Sequence, residues 1–175
     1  ETHPGTAVLR TPFWTEDFSG GLNGPNGLWT SSVGDNGDIW NYVTSIVPGC
    51  YSNGAQANFT TAADGFLVYH VDSFNCINAS SNPIQFDDSV TTGSIISPSI
   101  DLSAESSVLL TFEQNFRFCC SGSTELWASV SNDGGTTWTD YNVTGGTAVN
   151  DYPDPNQVAD VVELNITGIA ANQSD

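Results

Sequence analysis

The sequence predicts an all-β protein, a β-sandwich of antiparallel sheets, from two neighbouring observations. In residues 108–118, apolar and polar side chains alternate, and β-branched and aromatic residues share one face. A period of two with this composition is typical of a half-buried strand. A second run, residues 125–130, leads into the turn 131–138, whose Asp-Gly-Gly supplies the positive φ angles that a tight hairpin needs.

Four further segments are predicted to complete the sheets. They are an aromatic strand at 13–18 and strands at 39–47, 66–71 and 158–166. The strand at 66–71 has apolar residues on both faces, which predicts a central strand covered on both sides, followed by a loop that begins at Asp72. Residues 158–166 fit a helix or a strand, and their β-branched content favours a strand.

The length of 175 residues predicts one domain. Residues 1–12 carry no periodicity and contain two prolines, so we expect a leader or linker there and a single β-sandwich domain over 13–175. The sequence contains no apolar run long enough to predict a membrane-spanning segment.

The charge of the chain is strongly one-sided. The chain has 20 acidic residues and only two arginines or lysines, which gives a formal net charge of −18. Such a field repels phosphate backbones and anionic lipid, so nucleic acid and membrane surfaces are disfavoured as partners. Two interpretations of the acidity remain: solubility in a salty medium, or carboxylates that hold calcium.

The four cysteines, Cys50, Cys76, Cys119 and Cys120, predict disulfides and not a zinc site, because no Cys-x-x-Cys spacing is present and histidines are few. Three pairings are possible. The adjacent Cys119 and Cys120 either point to opposite faces of a strand and seek different partners, or form a strained vicinal bridge. Disulfides indicate an oxidising compartment, so we expect an extracellular or cell-surface location.

The order of short motifs along residues 13–167 resembles that of a family of secreted modules, the MAM-like jelly-roll modules of Bacteroidota proteins, relatives of the cleaved adhesin domains of gingipains. The motifs are Glu-Asp-Phe at 16–18, an Asp-rich turn before Trp40, Asp-Gly-Phe-Leu-Val at 64–68, Asp-Ser at 72–73, Ser-Pro-Ser-Ile-Asp-Leu-Ser at 97–103, Leu-Thr-Phe-Glu-x-x-Phe-Arg at 110–117 and Ser-x-Asp-Gly-Gly-x-Thr-Trp at 131–138.

The resemblance implies a jelly roll, passage through type IX secretion, and an adhesive, carbohydrate-binding or accessory role beside hydrolases and peptidases. Modules of this kind usually close with one more aromatic strand. Here either the protein continues past Asp175, or an open edge awaits a strand donated by a partner. Residues 131–138 also match the sialidase Asp-box, but a single copy favours a hairpin turn over a propeller.

The resemblance further implies a structural calcium site. Calcium takes six to eight oxygen ligands from carboxylates and loop carbonyls. By position in the family pattern, the candidate ligands are Glu16 and Asp72, with Asp38 as a third; the alternative is that they are solvated turn carboxylates. No nucleophile–base pair stands out, and His70 is expected to be packed in its strand, so we expect no catalysis.

Trp127 is the candidate ligand-binding residue. It shares the polar face of its strand with Glu125 and Ser129, and sugars stack on flat aromatic rings. The sequence thus predicts a calcium-stabilised adhesion or carbohydrate-binding module whose partner is a glycan or a surface protein. The alternatives are an accessory domain of a secreted hydrolase or peptidase, and an assembly subunit completed by strand exchange.

Overall fold

The fold was analysed in a computed structural model, which describes residues 11–34, 39–46, 48–50, 59–87, 91–115, 125–144 and 159–174. Strands make up 32% of the structure and helices only 6%, which confirms the predicted all-β class. Every described pairing is antiparallel, and the strands form six two-stranded sheets.

The described residues contain twelve short strands and two one-turn helices. In chain order they are β1 (Asn23–Gly24), β2 (Gly27–Leu28), β3 (Thr30–Ser31), β4 (Trp40–Val43), β5 (Phe66–Tyr69), α1 (Val71–Phe74), β6 (Cys76–Asn78), β7 (Gln85–Phe86), β8 (Ile95–Ile96), β9 (Leu109–Gln114), β10 (Trp127–Val130), β11 (Thr139–Asn142), β12 (Asp160–Asn165) and α2 (Thr167–Ala170). The pairs are β1 with β2, β3 with β8, β4 with β5, β6 with β7, β9 with β12, and β10 with β11. Neither of these two helices is long and apolar enough to cross a membrane.

The longest sheet pairs β9 with β12 over six residues of each strand. Leu110 lies opposite Leu164 and Phe112 opposite Val162, and these side chains are half-buried, whereas Leu109 is exposed. This confirms the alternation predicted for residues 108–115; positions 116–118 of the same prediction lie outside the described residues. The strand predicted at 158–166 is confirmed over Asp160–Asn165, which form β12; position 158 lies outside the described residues.

The apolar core lies where β9–β12 meets β10–β11. Val108, Ile166 and Ala170 form its buried cluster, and Val130 and Tyr141 of the β10–β11 hairpin pack against it. Two antiparallel sheets therefore share one core, as in a β-sandwich. The six separate pairs do not define a jelly-roll strand order, which stays a prediction, as does a single domain over 13–175.

The C-terminal segment is bonded to the chain that precedes β9. The Leu102 N–H donates to the Gln173 carbonyl at 2.8 Å, and the Asn172 N–H donates to the Glu105 carbonyl at 2.9 Å. The residues after α2 are thus joined to the loop between β8 and β9 by backbone hydrogen bonds.

The predicted hairpin at 125–138 is present. β10 and β11 pair antiparallel, with Val130 opposite Thr139 at the turn end. Gly134 and Gly135 adopt φ angles of 67° and 82°, as the Asp-Gly-Gly turn requires.

The aromatic strand predicted at 13–18 is wrong, because these residues form no strand. The Glu16 carboxylate accepts the Phe18 N–H at 2.9 Å, and Phe18 takes a φ of 60°. A left-handed residue interrupts extended backbone, so local hydrogen bonding overrides the aromatic pattern.

Two other predicted strands are shorter than expected. Within residues 39–46, the strand predicted at 39–47 is limited to β4, and position 47 lies outside the described residues. The strand predicted at 66–71 ends at Tyr69. The loop predicted from Asp72 begins instead as α1, whose single turn is closed by the Phe74 N–H donating to the His70 carbonyl. On one face of β5 Phe66 is buried and Val68 is half-buried, and on the other Leu67 and Tyr69 are half-buried, so both faces are at least partly covered.

Cys50 and Cys76 form a disulfide, with their Cα atoms 5.1 Å apart. The bond confirms disulfide chemistry for these two cysteines and excludes the pairings in which Cys50 or Cys76 bonds to Cys119 or Cys120. It ties residues 48–50 to the start of β6, directly after α1. Cys119 and Cys120 lie outside the described residues.

Candidate functional site

The outer face of the β10–β11 hairpin carries the predicted ligand-binding residue. Trp127 lies opposite Asn142 and Ser129 opposite Asp140, and side chains of directly opposed residues share a face. The alternate residues Val130 and Tyr141 pack into the core. Because successive side chains of a strand point to opposite faces, the first four point to solvent.

Trp127 projects outward as the sequence predicts, with 49% of its surface exposed. Its indole Nε1–H donates to the Glu125 Oε2 atom at 3.2 Å. This bond holds one edge of the ring against a carboxylate and leaves half of the side chain open to solvent. We call Glu125, Trp127, Ser129, Asp140 and Asn142 together the Trp127 face.

Polar groups surround the exposed ring. The Ser129 hydroxyl donates to Asp140 Oδ1 at 2.7 Å, across the two strands, and Asn142 Oδ1 accepts the Thr144 N–H at 2.9 Å. A carboxylate offers about four lone-pair sites, so Glu125 and Asp140 keep acceptor capacity beyond these bonds. The Trp127 face therefore combines one aromatic surface with acceptors placed to receive donors from a ligand.

The Asp-box residues at the tip of the hairpin bind one another. The Thr137 hydroxyl and N–H donate to the two oxygens of Asp133 at 2.6 and 2.8 Å, and the Ser131 hydroxyl donates at 2.8 Å. These bonds, those from Thr137 foremost, lower the pKa of Asp133 from 3.8 to about 2. The Trp138 indole donates to the Gly135 carbonyl at 3.1 Å. Such internal bonding fits the interpretation of this motif as a turn that fixes the end of β10–β11.

Of the predicted calcium ligands, Glu16 joins two parts of the N-terminal segment. Its Oε1 accepts the Phe18 N–H at 2.9 Å, and its Oε2 accepts the Asn26 amide N–H at 3.1 Å. Gly24 lies against the same carboxylate, where an added Cβ would stand 3.5 Å from Oε1. The Glu16 carboxylate thus anchors the turn at 16–18 to residues 24–26.

Asp72, the second predicted ligand, lies in the first turn of α1. Gly49 packs against it so closely that an added Cβ would overlap Asp72 Oδ2. Glu16 and Asp72 thus have different neighbours, Asn26 and Gly49, and Asp38 lies outside the described residues. In the part of the chain that the structure describes, no group of three or more His, Cys, Asp or Glu side chains is arranged to hold a metal. Calcium binding stays a prediction.

Gln114 is a polar residue of the core that the sequence reasoning missed. It occupies the inward face of β9, is buried, and donates its amide Nε2–H to the Val143 carbonyl at 3.0 Å. This bond links β9 to the end of β11. An open cleft of about 370 Å³ adjoins it, lined by Gln114, Asn142, Val143, Asp160, Val161, Val162 and Leu164. Gln114 follows Leu110 and Phe112 at intervals of two residues along β9, and this spacing predicts that its side chain points to the same inner face.

Fold and site together define an all-β protein with an exposed tryptophan between carboxylates on the outer face of one antiparallel sheet. Comparison with protein-family models, curated proteins and solved structures finds no match to this chain. The resemblance to MAM-like modules therefore stays a prediction.

Proposed function

We propose that this protein is an extracellular glycan-binding module and that the Trp127 face is its binding surface. The observation that carries the proposal is the half-exposed ring of Trp127, held by its bond to Glu125 on the solvent side of a strand. Large aromatic side chains are mostly buried in soluble proteins, so an outward tryptophan with polar neighbours favours a binding role.

The chemistry of the face suits a sugar. The apolar C–H side of a pyranose ring stacks on an indole, while its hydroxyl groups need hydrogen-bond partners around the ring. Glu125 and Asp140 supply acceptors, and the side chains of Ser129 and Asn142 supply groups that can donate or accept. An aromatic platform with a few polar groups is the usual composition of a small-ligand site.

The face is also held in place before any ligand binds. Val130 and Tyr141 fix the hairpin to the core from below, and the bonds of Asp133 close its tip. A rigid surface loses little conformational entropy on binding, which favours affinity for a weakly interacting ligand such as a sugar.

The Cys50–Cys76 disulfide supports the extracellular part of the proposal, because structural disulfides form and persist in oxidising compartments. The high negative charge is also suited to a protein that must stay soluble among anionic cell surfaces.

A polysaccharide panel tests the function. We expect the protein to bind at least one immobilised polysaccharide and Trp127→Ala to weaken that binding about tenfold or more, since one lost aromatic contact is worth about 1–2 kcal/mol. The matched control is Leu109→Ala, which removes a side chain that is 60% exposed on the outer face of the β9–β12 sheet. Thermal melting checks that both variants fold.

Two results would contradict the proposal: binding to no polysaccharide on the panel, or equal losses in Trp127→Ala and Leu109→Ala. The two alternatives from the sequence, an accessory domain and a subunit completed by strand exchange, stay predictions.

A further inference from the structure

We infer that the glycan taken by the Trp127 face carries free amino groups, that is, a cationic amino-sugar polymer. This inference rests on the proposed function and names its ligand class. It is carried by the arrangement of the tryptophan between two carboxylates, on a face whose five residues include no basic side chain.

Two carboxylates lie beside the Trp127 ring. The Glu125 carboxylate is bonded to the indole N–H at 3.2 Å. Asp140 lies opposite Ser129, which makes it the diagonal neighbour of Trp127, at about 7–8 Å across the strands. The exposed ring is therefore flanked by the carboxylate of Glu125, two residues before Trp127 in the chain, and by that of Asp140 on β11.

A tryptophan ring between two carboxylates attracts a cation. A cation over the face of an indole gains cation–π energy, and tryptophan is the best of the aromatic side chains for it. The indole N–H donates to a carboxylate, and such a bond polarises the ring system and strengthens its attraction for a cation. An ammonium group has three donors, which match the acceptors that Glu125 and Asp140 retain.

The Trp127 face repels anionic glycans. Arg10 and Arg117 are the two arginines of a chain without lysine, and both lie outside the described residues. Within the described residues, a sulfated or uronic-acid glycan would meet carboxylates without a compensating Lys or Arg, and the overall charge of −18 adds to that repulsion. A neutral or N-acetylated glycan would gain the stacking contact and lose the charge contact. Charge complementarity thus favours the free amine.

The test compares oligomers of glucosamine and of N-acetylglucosamine with the same length and linkage, by calorimetry at low salt and at a pH where the sugar amine is charged. We expect the amine form to bind about tenfold more tightly, because a cation–π contact and its flanking carboxylates act on it alone. Added salt should reduce this preference.

Isosteric variants identify the groups responsible. The double variant Glu125→Gln and Asp140→Asn keeps the shape of the face, and the amide oxygen introduced at position 125 would still accept the indole N–H. We expect this variant to lose most of the preference for the amine. The control pair, Glu163→Gln and Asp64→Asn, removes the same net charge at exposed positions away from the face and should keep the preference.

The outcomes separate this inference from the proposed function. Equal binding of both oligomers, abolished by Trp127→Ala, would overturn the inference and leave glycan binding intact. Equal loss of preference in the two charge-matched double variants would also overturn it, because attraction by overall charge would then suffice. If the amine form binds and Trp127→Ala does not weaken it, the face is not the site. Binding to no glycan of any class would overturn both proposals.

Discussion

At the scale of single residues, several of the acidic side chains serve the turns that contain them. Asp17 accepts the Ser19 N–H and Asp101 the Ser103 N–H, each two residues ahead, and Glu16 does the same for Phe18. Hydrogen bonds to Ser19 and to Ser103, respectively, lower the pKa of Asp17 and of Asp101. These side chains hold short turns in place, a role that the net charge alone does not reveal.

The titration of Asp133 tests whether hydrogen bonds within a turn stabilise the charged form of its carboxylate. Its folded pKa of about 2 lies below its ordinary value of 3.8, so its charged form stabilises the fold. That contribution is fully present above the unfolded pKa and is lost as the pH falls through 3.8 toward 2. We expect the carboxyl resonance of Asp133 to titrate near pH 2 by NMR, and Asp133→Ala to lower Tm at neutral pH.

The control for Asp133 is Ser129→Ala, an exposed position of the same hairpin outside the turn, which should change Tm less. An Asp133 titration midpoint near 3.8 would contradict the bonding described at the tip.

At the scale of elements, the β9–β12 sheet borders the buried apolar cluster that the structure describes. Ile166 is buried beside Val108 at the end of this sheet. We expect Ile166→Ala to lower the free energy of unfolding by about 2–5 kcal/mol, because the cavity it leaves is not refilled. Leu109→Ala, on the outer face of the same sheet, should cost less than about 0.5 kcal/mol. Urea unfolding measures both, and equal effects would refute this placement of the core.

The Cys50–Cys76 disulfide is the second feature at this scale. It joins residues 26 positions apart, and closing a loop of that length stabilises a fold by about 3.5 kcal/mol through the entropy of the unfolded chain. We therefore expect the double variant Cys50→Ala and Cys76→Ala to unfold at lower urea concentration. The variant should keep the strand signal of circular dichroism, since the β9–β12 core lies elsewhere. Unchanged stability would mean that the bond adds nothing to the fold.

Sequence patterns predicted the elements that depend on local signals. Alternation marks β9 and β12, and Asp-Gly-Gly marks the hairpin, because the properties of neighbouring residues decide these structures. The pairing of β9 with β12 was not predictable in the same way, since partner choice depends on packing between distant segments. The failure at 13–18 has a local cause that the aromatic pattern hides, the bond from the Phe18 N–H to Glu16.

In the candidate site, too, features set by neighbouring residues were predictable from the sequence, whereas contacts between distant segments were not. The outward position of Trp127 follows from strand parity, and its bond to Glu125 follows from the two-residue spacing on one face. The grouping of Glu16 with Asp72 depended on resemblance alone, and the described structure gives them different neighbours. Gln114 was missed because a polar residue in a strand is ordinarily assigned to the solvent face.

At the scale of the whole molecule, the net charge of −18 opposes compaction. We expect Tm to rise when NaCl is added to a low-salt buffer, because screening weakens the repulsion among carboxylates. CaCl2 at the same ionic strength tests the calcium prediction, since an ion that binds only the folded state raises Tm further by mass action. An equal rise with both salts would refute a structural calcium site.

The backbone bonds that join residues 102–105 to residues 172–173 can form only after residues 172–173 have been synthesised. During synthesis, Val108, Val130 and Tyr141 emerge well before Ile166 and Ala170, with which they pack. A chain still on the ribosome can form the β10–β11 hairpin, which is local, but not the core, which needs β12 and α2. Until those two elements have left the ribosome, the apolar sides of β9 and β10 stay uncovered, and a chaperone that binds exposed apolar strands can hold the chain open.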